Sequence, residues 1–270
     1  MAAARYEPLS TSRPEWGRIA VLPWDSEIFG FAVADLDVAD ASALVPAAPF
    51  AEELAAWAAA NSVALIGCSV PSGDNRWRAS LPAAGFYYVD STLTYTISHF
   101  HGPRVQRQVT RPWRAEAANQ KAIEDLAGRA FQVGRYHADP YFPAELANHR
   151  YRRWISNTFS TLSETTRVYA LGPPDAPLGM VNVTIDGDEA QFGLGGVDPT
   201  AHRSTAGFSL LLGTIQNLRD CGVRRVVSKL STGNLPILHL VAYFGGRFSD
   251  PRLVFHWRAP NAPALQAFAG

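Results

Sequence analysis

Between an alternating apolar run and a long amphipathic pattern lies Val197-Asp-Pro-Thr-Ala-His202-Arg203-Ser204-Thr205-Ala206-Gly207. A chain turning from strand into helix presents consecutive backbone N–H groups, and the helix dipole there favours negative charge. This junction can hold a phosphate or pyrophosphate. Ser204, Thr205, Ala206 and Gly207 are small enough to let an anion reach the backbone, two of them carry hydroxyls, and Arg203 adds a fixed positive charge. A plain loop with a Ser/Thr helix cap has the same composition, and residue types alone leave both readings open.

Other chemistries find less support. His99 and His101 are the only close histidine pair, and neither Cys68 nor Cys221 stands near another candidate ligand, so no metal is expected. Gly193-Leu194-Gly195-Gly196 is glycine-rich but does not make a GxGxxG turn leading into a helix, which argues against a dinucleotide fold. His239 sits on the same expected helix as Tyr243 and is a candidate proton relay, although simple solvation explains it as well.

The elements that must position the loop follow from periodicity. Ile19–Leu22 and Ala32–Leu36 read as strands around a loop at 23–31, residues 50–60 as a helix, Ser62–Val70 as a buried strand, and 75–84 as a helix before a strand at 89–97. Helices are expected over 115–131 and 143–158, then an antiparallel meander of strands at 167–171, 178–185 and 190–197. Phe208, Leu211, Leu212, Ile215 and Leu218 mark one face of a helix stopped at Gly222. A strand at 223–230, a helix at 235–244 and a strand at 248–257 complete the pattern. Helix, strand, Gly73-Asp74-Asn75, helix in the first half echo helix, strand, Thr232-Gly233-Asn234, helix in the second.

With 270 residues and 47% hydrophobic content, the chain can bury one large core or two small ones. Lys plus Arg and Asp plus Glu number 24 each, so no global field draws nucleic acid or anionic membrane, and any charged ligand must be caught locally. Two separated cysteines fit a reducing cytoplasm. No run is apolar enough to predict a signal peptide or a membrane span.

The loop at 202–207 resembles the acyl-CoA loop of the GNAT superfamily of N-acyltransferases: Gln or Arg, two variable residues, Gly, a variable residue, then Gly or Ala. His202 stands for the first residue and Thr205 for the first Gly. Val197-x-Pro199, Leu210-Leu211 and the Asn234-led helix ending at Gly245 fall where that family has them, and the resemblance covers about 115–257. It implies an α/β (α+β) fold with a mixed, centrally antiparallel sheet flanked by helices. It also implies acetyl-CoA or another acyl-CoA as co-substrate, with pyrophosphate on His202, Arg203, Ser204, Thr205, Ala206 and Gly207. Pantetheine would lie on Gly195, Gly196 and Val197, and Asn234 would orient it. The family's acid, a tyrosine seven residues after that Asn, corresponds to Val241, which leaves Tyr243 as the nearest candidate catalytic hydroxyl. Two residues of helix rotate a side chain by roughly 200°.

Leu22-Pro-Trp24-Asp25-Ser26-Glu27-Ile28-Phe29-Gly30-Phe31 and Gly134-Arg135-Tyr136-His137-Ala-Asp139-Pro140 are similar to segments of the bacterial TDP-fucosamine acetyltransferase group. That resemblance implies a smaller partial GNAT-like domain at 1–104 and a catalytic domain at 105–258, while the Ala/Pro-rich composition of 259–270 predicts a flexible tail. A TDP-aminosugar amine would be the acceptor, with Arg135, Tyr136 and His137 as candidate substrate-binding residues. A non-catalytic acyl-CoA or sugar-nucleotide binding module, acylation of another small amine or protein N-terminus, and a homodimer all stay open.

Overall fold

A computed structural model of the chain describes residues 4–39, 45–98, 106–202 and 204–260. Along the chain run β1 (Glu7–Pro8), β2 (Arg18–Val21), α1 (Pro23–Phe29), β3 (Ala32–Asp37), α2 (Ala47–Ala60), β4 (Val63–Pro71), α3 (Asn75–Ala83) and β5 (Tyr87–Ser98). They are followed by β6 (Trp113–Arg114), α4 (Gln120–Ala130), α5 (Arg135–Ala138), α6 (Ala144–Phe159), β7 (Thr166–Leu171), β8 (Gly179–Asp186) and β9 (Glu189–Val197). The last are α7 (Ala206–Asp220), β10 (Arg225–Ser231), α8 (Leu235–Tyr243) and β11 (Arg247–Arg258). The mixed α/β class and the helix and strand order match the periodicity, with one clear exception at 23–31. That segment, expected as a loop, is helical: Pro23 opens α1 and Gly30, in the left-handed region at φ 73°, closes it through its N–H to Ser26 O. Pro just inside a start and Gly just past an end are helix punctuation, outweighed here by the short span between two strands.

The chain packs into two compact units. One holds the described residues of Met1–Thr92, Arg135–Ala147 and Asp250–Gly270; the other holds those of Leu93–Gly134 and Asn148–Ser249. Neither unit is one consecutive stretch of the chain. The C-terminal strand β11 pairs antiparallel with β4, Arg252 opposite Pro71 through Arg258 opposite Leu65, and so belongs to the first unit. Tyr136 and Phe142 enter the same unit by burying against Phe29, Val33 and Leu65. The expected boundary at 104/105, His99, His101 and residues 261–270 of the expected tail lie outside the described residues.

In the first unit the strand order is β1-β2-β3-β4-β11-β5. β3 and β4 are parallel and stay paired from Ala32 opposite Val63 to Leu36 opposite Cys68. Its core gathers Trp16, Phe50, Leu54, Ile66, Trp77 and Trp257. In the second unit the order is β5-β10-β9-β8-β7-β6, with β7, β8 and β9 forming the antiparallel meander and β9 parallel to β10. Leu211, Leu212, Ile215 and Leu218 of α7 bury against this sheet, each contributing about 1.5–3 kcal/mol of apolar transfer. Ile123, Leu126, Ala127, Tyr151 and Ile155 from α4 and α6 fill a further core with Val168, Met180 and Leu194. Among the described residues no helix is long and apolar enough to cross a membrane.

Candidate functional site

In the second unit the parallel pair β9/β10 is short: Glu189, Ala190 and Gln191 stand opposite Arg225, Val226 and Val227, and no further ladder pair joins the strands. β9 nevertheless continues to Val197 and β10 to Ser231, so the strands part beyond Gln191. Where the ladder ends, the buried Ser228 Oγ donates to Phe192 O at 2.6 Å, replacing a backbone bond with a side-chain one. Beyond it β9 stays bound to β8 along one edge, Gly195, Gly196 and Val197 opposite Val181, Met180 and Gly179. Its other edge carries backbone groups that the sheet leaves unpaired, on glycines at 193 and 195 that are exposed. An extended ligand with amide groups can pair there as an added strand would.

A β-bulge shapes that edge. Gly193 and Leu194 together oppose Asn182, and the Asn182 carboxamide oxygen accepts the Leu194 N–H. Glycine at 193 leaves Asn182 undisturbed, because a Cβ there would stand 2.6 Å from Asn182 Oδ1. The corresponding parallel pair of the first unit, β3/β4, stays closed. The helix start that follows it is closed as well: the Asp74 carboxylate accepts from Arg76 N and Trp77 N. At the second unit's equivalent, α8, Asn234 holds the cap position without a side-chain cap bond. Among the described residues, the second half combines a split sheet edge with an α8 start that has no side-chain cap, whereas α3 of the first half is capped by Asp74.

The loop after β9 is pinned before it reaches α7. Asp198 Oδ1 accepts from Thr200 N at 2.9 Å and Thr200 Oγ at 2.6 Å, while Oδ2 accepts from Arg129 Nε at 2.6 Å. The Thr200 hydroxyl, then Arg129, hold the Asp198 carboxyl down at about 2. Arg129 closes α4, and Phe131 just beyond it lies against Gly196, so the end of α4 is seated on the end of β9. His202 folds back, its Nε2–H donating to Val197 O at 3.1 Å, and thus braces the loop. Ser204 Oγ donates to Ala201 O and accepts from Ala206 N, which makes it a capping residue. Thr205 makes no side-chain cap bond, and Ala206 and Gly207 open α7. Arg203 lies outside the described residues.

Gly207 is informative because the fold does not require it. Its φ is not left-handed, and a Cβ would meet only Val197 Cγ2 at 3.7 Å and Leu240 Cδ1 at 3.9 Å, ordinary contact. Gly195, Gly196, Val197 and Ser204–Gly207 are therefore brought together at one end of the β9/β10 split. Tyr243 ends α8, where its hydroxyl accepts from Arg107 Nη1 at 3.0 Å and its ring packs edge-on against Phe208 and Phe244. Val241 is fully buried, and a Cβ on Gly246 would collide with it, so its side chain points into the core.

The candidate substrate residues belong to the first unit. Tyr136 is buried, donates to Asp25 Oδ2 at 3.2 Å and accepts from Arg135 Nη2 at 3.0 Å, and Arg135 stands 3.7 Å from Asp25. Asp139 Oδ2 accepts from His256 Nδ1 at 2.6 Å and from the Tyr87 hydroxyl at 3.0 Å. Burial pushes Asp139 up, but the His256 bond, with Tyr141 N and Tyr87, holds it below the carboxylate range; burial holds His256 below its ordinary range. An ionised Asp139 thus receives a neutral imidazole N–H. Arg135 and Tyr136 are engaged in this interior network, and His137 is half-buried beside them. Asn182, Ser228 and the Arg129–Asp198 pair escaped the sequence reading. The glycine run at 193–196 was the one local signal of the bulge.

No family model and no curated protein matches this sequence. Solved structures do match. A GCN5-related N-acetyltransferase from Sphaerobacter thermophilus superposes with TM-score 0.63 at 12% identity, over 92% of this chain and 78% of that one. One from Kribbella flavida does so with TM-score 0.56 at 13% identity, over 94% and 89%. A tandem GNAT protein from the clavulanic acid biosynthesis pathway gives TM-score 0.55 at 13% identity, over 92% and 80%. At such identities the likeness is one of fold, and the fold of this chain is that of the GCN5-related N-acetyltransferases.

Proposed function

We propose that the protein is an acyl-CoA-dependent N-acyltransferase whose co-substrate binds the second unit. The observation that carries this reading is the parting of β9 from β10 after Gln191, next to a helix start where Gly207 leaves space that the fold itself does not need. The backbone N–H groups of Thr205 and Gly207, on either side of the Ala206 N–H that Ser204 caps, would receive the diphosphate, supported by the dipole of α7. The β9 edge at Gly195–Val197, whose last carbonyl accepts from His202, would pair with the pantetheine amides, and Asn234, with no capping duty, would orient them. In the transfer, a neutral amine forms the new N–C bond as the C–S bond breaks, and the proton lost by nitrogen ends on the thiolate or in solvent. A thiol titrating near 8–9 is already a workable leaving group, which suits a site with a buried valine at position 241.

The acceptor we favour is an amine on a nucleotide-linked aminosugar, supported by the similarity of 22–31 and 134–140 to the TDP-fucosamine acetyltransferase group. On that reading the first unit is a partial GNAT-like domain whose closed β3/β4 pair and Asp74-capped α3 leave acyl-CoA binding to the second. The position of Val241 favours one rival, a binding module of the same fold. Incubation with acetyl-CoA and a panel of TDP-aminosugars and simple amines, followed by free-thiol measurement, decides between them. Amine-dependent thiol release supports the enzyme; saturable CoA binding without release for any amine supports the module. An absence of CoA binding sinks both.

A further inference from the structure

We propose that the second unit carries a separate anion site, a cleft of about 410 Å³ between the segment 106–111 and the C-terminal half of α7, suited to a phosphate monoester. Its volume falls in the range of small-molecule sites. Arg107, Arg111 and Arg219 line it together with Gln106, Gln108 and Gln216. Arg111 Nη1 pairs with Asp220 at 2.5 Å, and Arg219 Nη2 shares that carboxylate at 3.2 Å. Arg107 instead donates to the Tyr243 hydroxyl at 3.0 Å and lies 5.5 Å over the Phe208 ring, and neither partner cancels its charge. Three cations against one carboxylate leave two positive charges in excess, in a chain whose formal net charge is zero. A phosphate monoester carries about 1.5–2 negative charges at pH 7, and guanidinium groups bind it through paired N–H bonds.

The segment bearing Arg107 and Arg111 is held in place before any ligand arrives. Gln216 Nε2 donates to Arg107 O at 2.9 Å and Asn217 Nδ2 to Pro112 O at 2.8 Å. Glycine at 213, in the middle of α7, costs the helix about 1 kcal/mol relative to alanine. It is explained by this docking, since a Cβ there would stand 3.2 Å from both Arg111 Cα and Thr110 O. The segment that carries Arg107 and Arg111 is therefore fixed against α7, and binding needs little ordering of the main chain.

The phosphate could belong to the ribose of CoA or to a separate phosphorylated metabolite. Inorganic phosphate titrated into the whole protein at constant ionic strength, followed by NMR of the arginine Nε–H groups, tests the site. Saturable shifts at Arg107 are expected, with binding weakened about tenfold in Arg107→Gln and in Arg219→Gln and by less than twofold in Arg224→Ala. Shifts that chloride reproduces, or affinity that Arg107→Gln leaves unchanged, would overturn the proposal. If CoA displaces phosphate and dephospho-CoA does not, the occupant is the ribose phosphate of CoA; if saturating CoA leaves phosphate binding intact, the ligand is a separate phosphorylated molecule. Phosphate binding in a protein that takes up no CoA would uphold this site while removing the acyl-CoA reading.

Discussion

Replacing Gly207 with alanine and, separately, with tryptophan sets the needs of the fold against those of a ligand. The added Cβ would sit 3.7 Å from Val197 Cγ2 and 3.9 Å from Leu240 Cδ1, so nothing in the chain has to move. Alanine is favoured over glycine inside a helix by about 0.5–1 kcal/mol, and near a helix start the lower figure applies. Stability should rise by about 0.5 kcal/mol, or about 1–2 °C in Tm for a protein of this size. A phosphate oxygen bound to the Gly207 N–H at about 2.9 Å tolerates that methyl group, as the Gly-or-Ala choice of the acyl-CoA loop that 202–207 resembles implies, whereas the indole of Gly207→Trp fills the approach to the N–H. Gly207→Ala should therefore keep its CoA affinity within about twofold, while in Gly207→Trp the loss of one charge-assisted hydrogen bond of about 1.5–3 kcal/mol weakens CoA binding by about tenfold to a hundredfold. Thermal unfolding and titration calorimetry with CoA, run on the same preparation, read the two effects. Unchanged CoA affinity in Gly207→Trp refutes the diphosphate assignment, and a lowered Tm in Gly207→Ala refutes the packing argument.

Gly193→Ala should behave oppositely, destabilising the protein by about 1–3 kcal/mol in urea unfolding, because its Cβ would stand 2.6 Å from Asn182 Oδ1; the added change Asn182→Ala should recover part of that loss. Ser228→Ala leaves Phe192 O without its buried partner and should cost about 1–3 kcal/mol by the same measurement, with a stability equal to the parent counting against the role given to that hydroxyl. Asp198, held at about 2 against an ordinary 3.8, contributes stability that is complete above pH 3.8 and lost as pH falls towards 2. The shift sets an upper bound of about 2 kcal/mol, reduced by solvent screening at the half-exposed Arg129, and Asp198→Asn should flatten the acid limb of a pH–stability curve.

Local patterning in the sequence was enough for most helices and strands, for the antiparallel meander at 167–197, and for the strand–loop–helix junction at 197–207. Each of these rests on the spacing of apolar residues over one element or on Pro and Gly at its ends, and needs no knowledge of what lies across the sheet. The roles of single side chains in that junction were not legible: His202 and Ser204, read as anion ligands, bond to Val197 O and Ala201 O. Which hydrogen bonds a polar side chain makes depends on carbonyls that the chain brings near it only on folding.

Tertiary structure alone decided where β9 leaves β10, that Asn182 and Gly193 form a bulge, and that Ser228 closes the ladder. Strand register is set by pairing between residues far apart in sequence, as at Phe192 and Ser228 or at Pro71 and Arg252, and no short-range period encodes it. The same holds for the interleaving of the units. Arg135–Ala147 and Asp250–Arg258 join the first because Tyr136, Phe142, Phe255 and Trp257 find their apolar partners there, and the sequence records that these residues must be buried without recording against what.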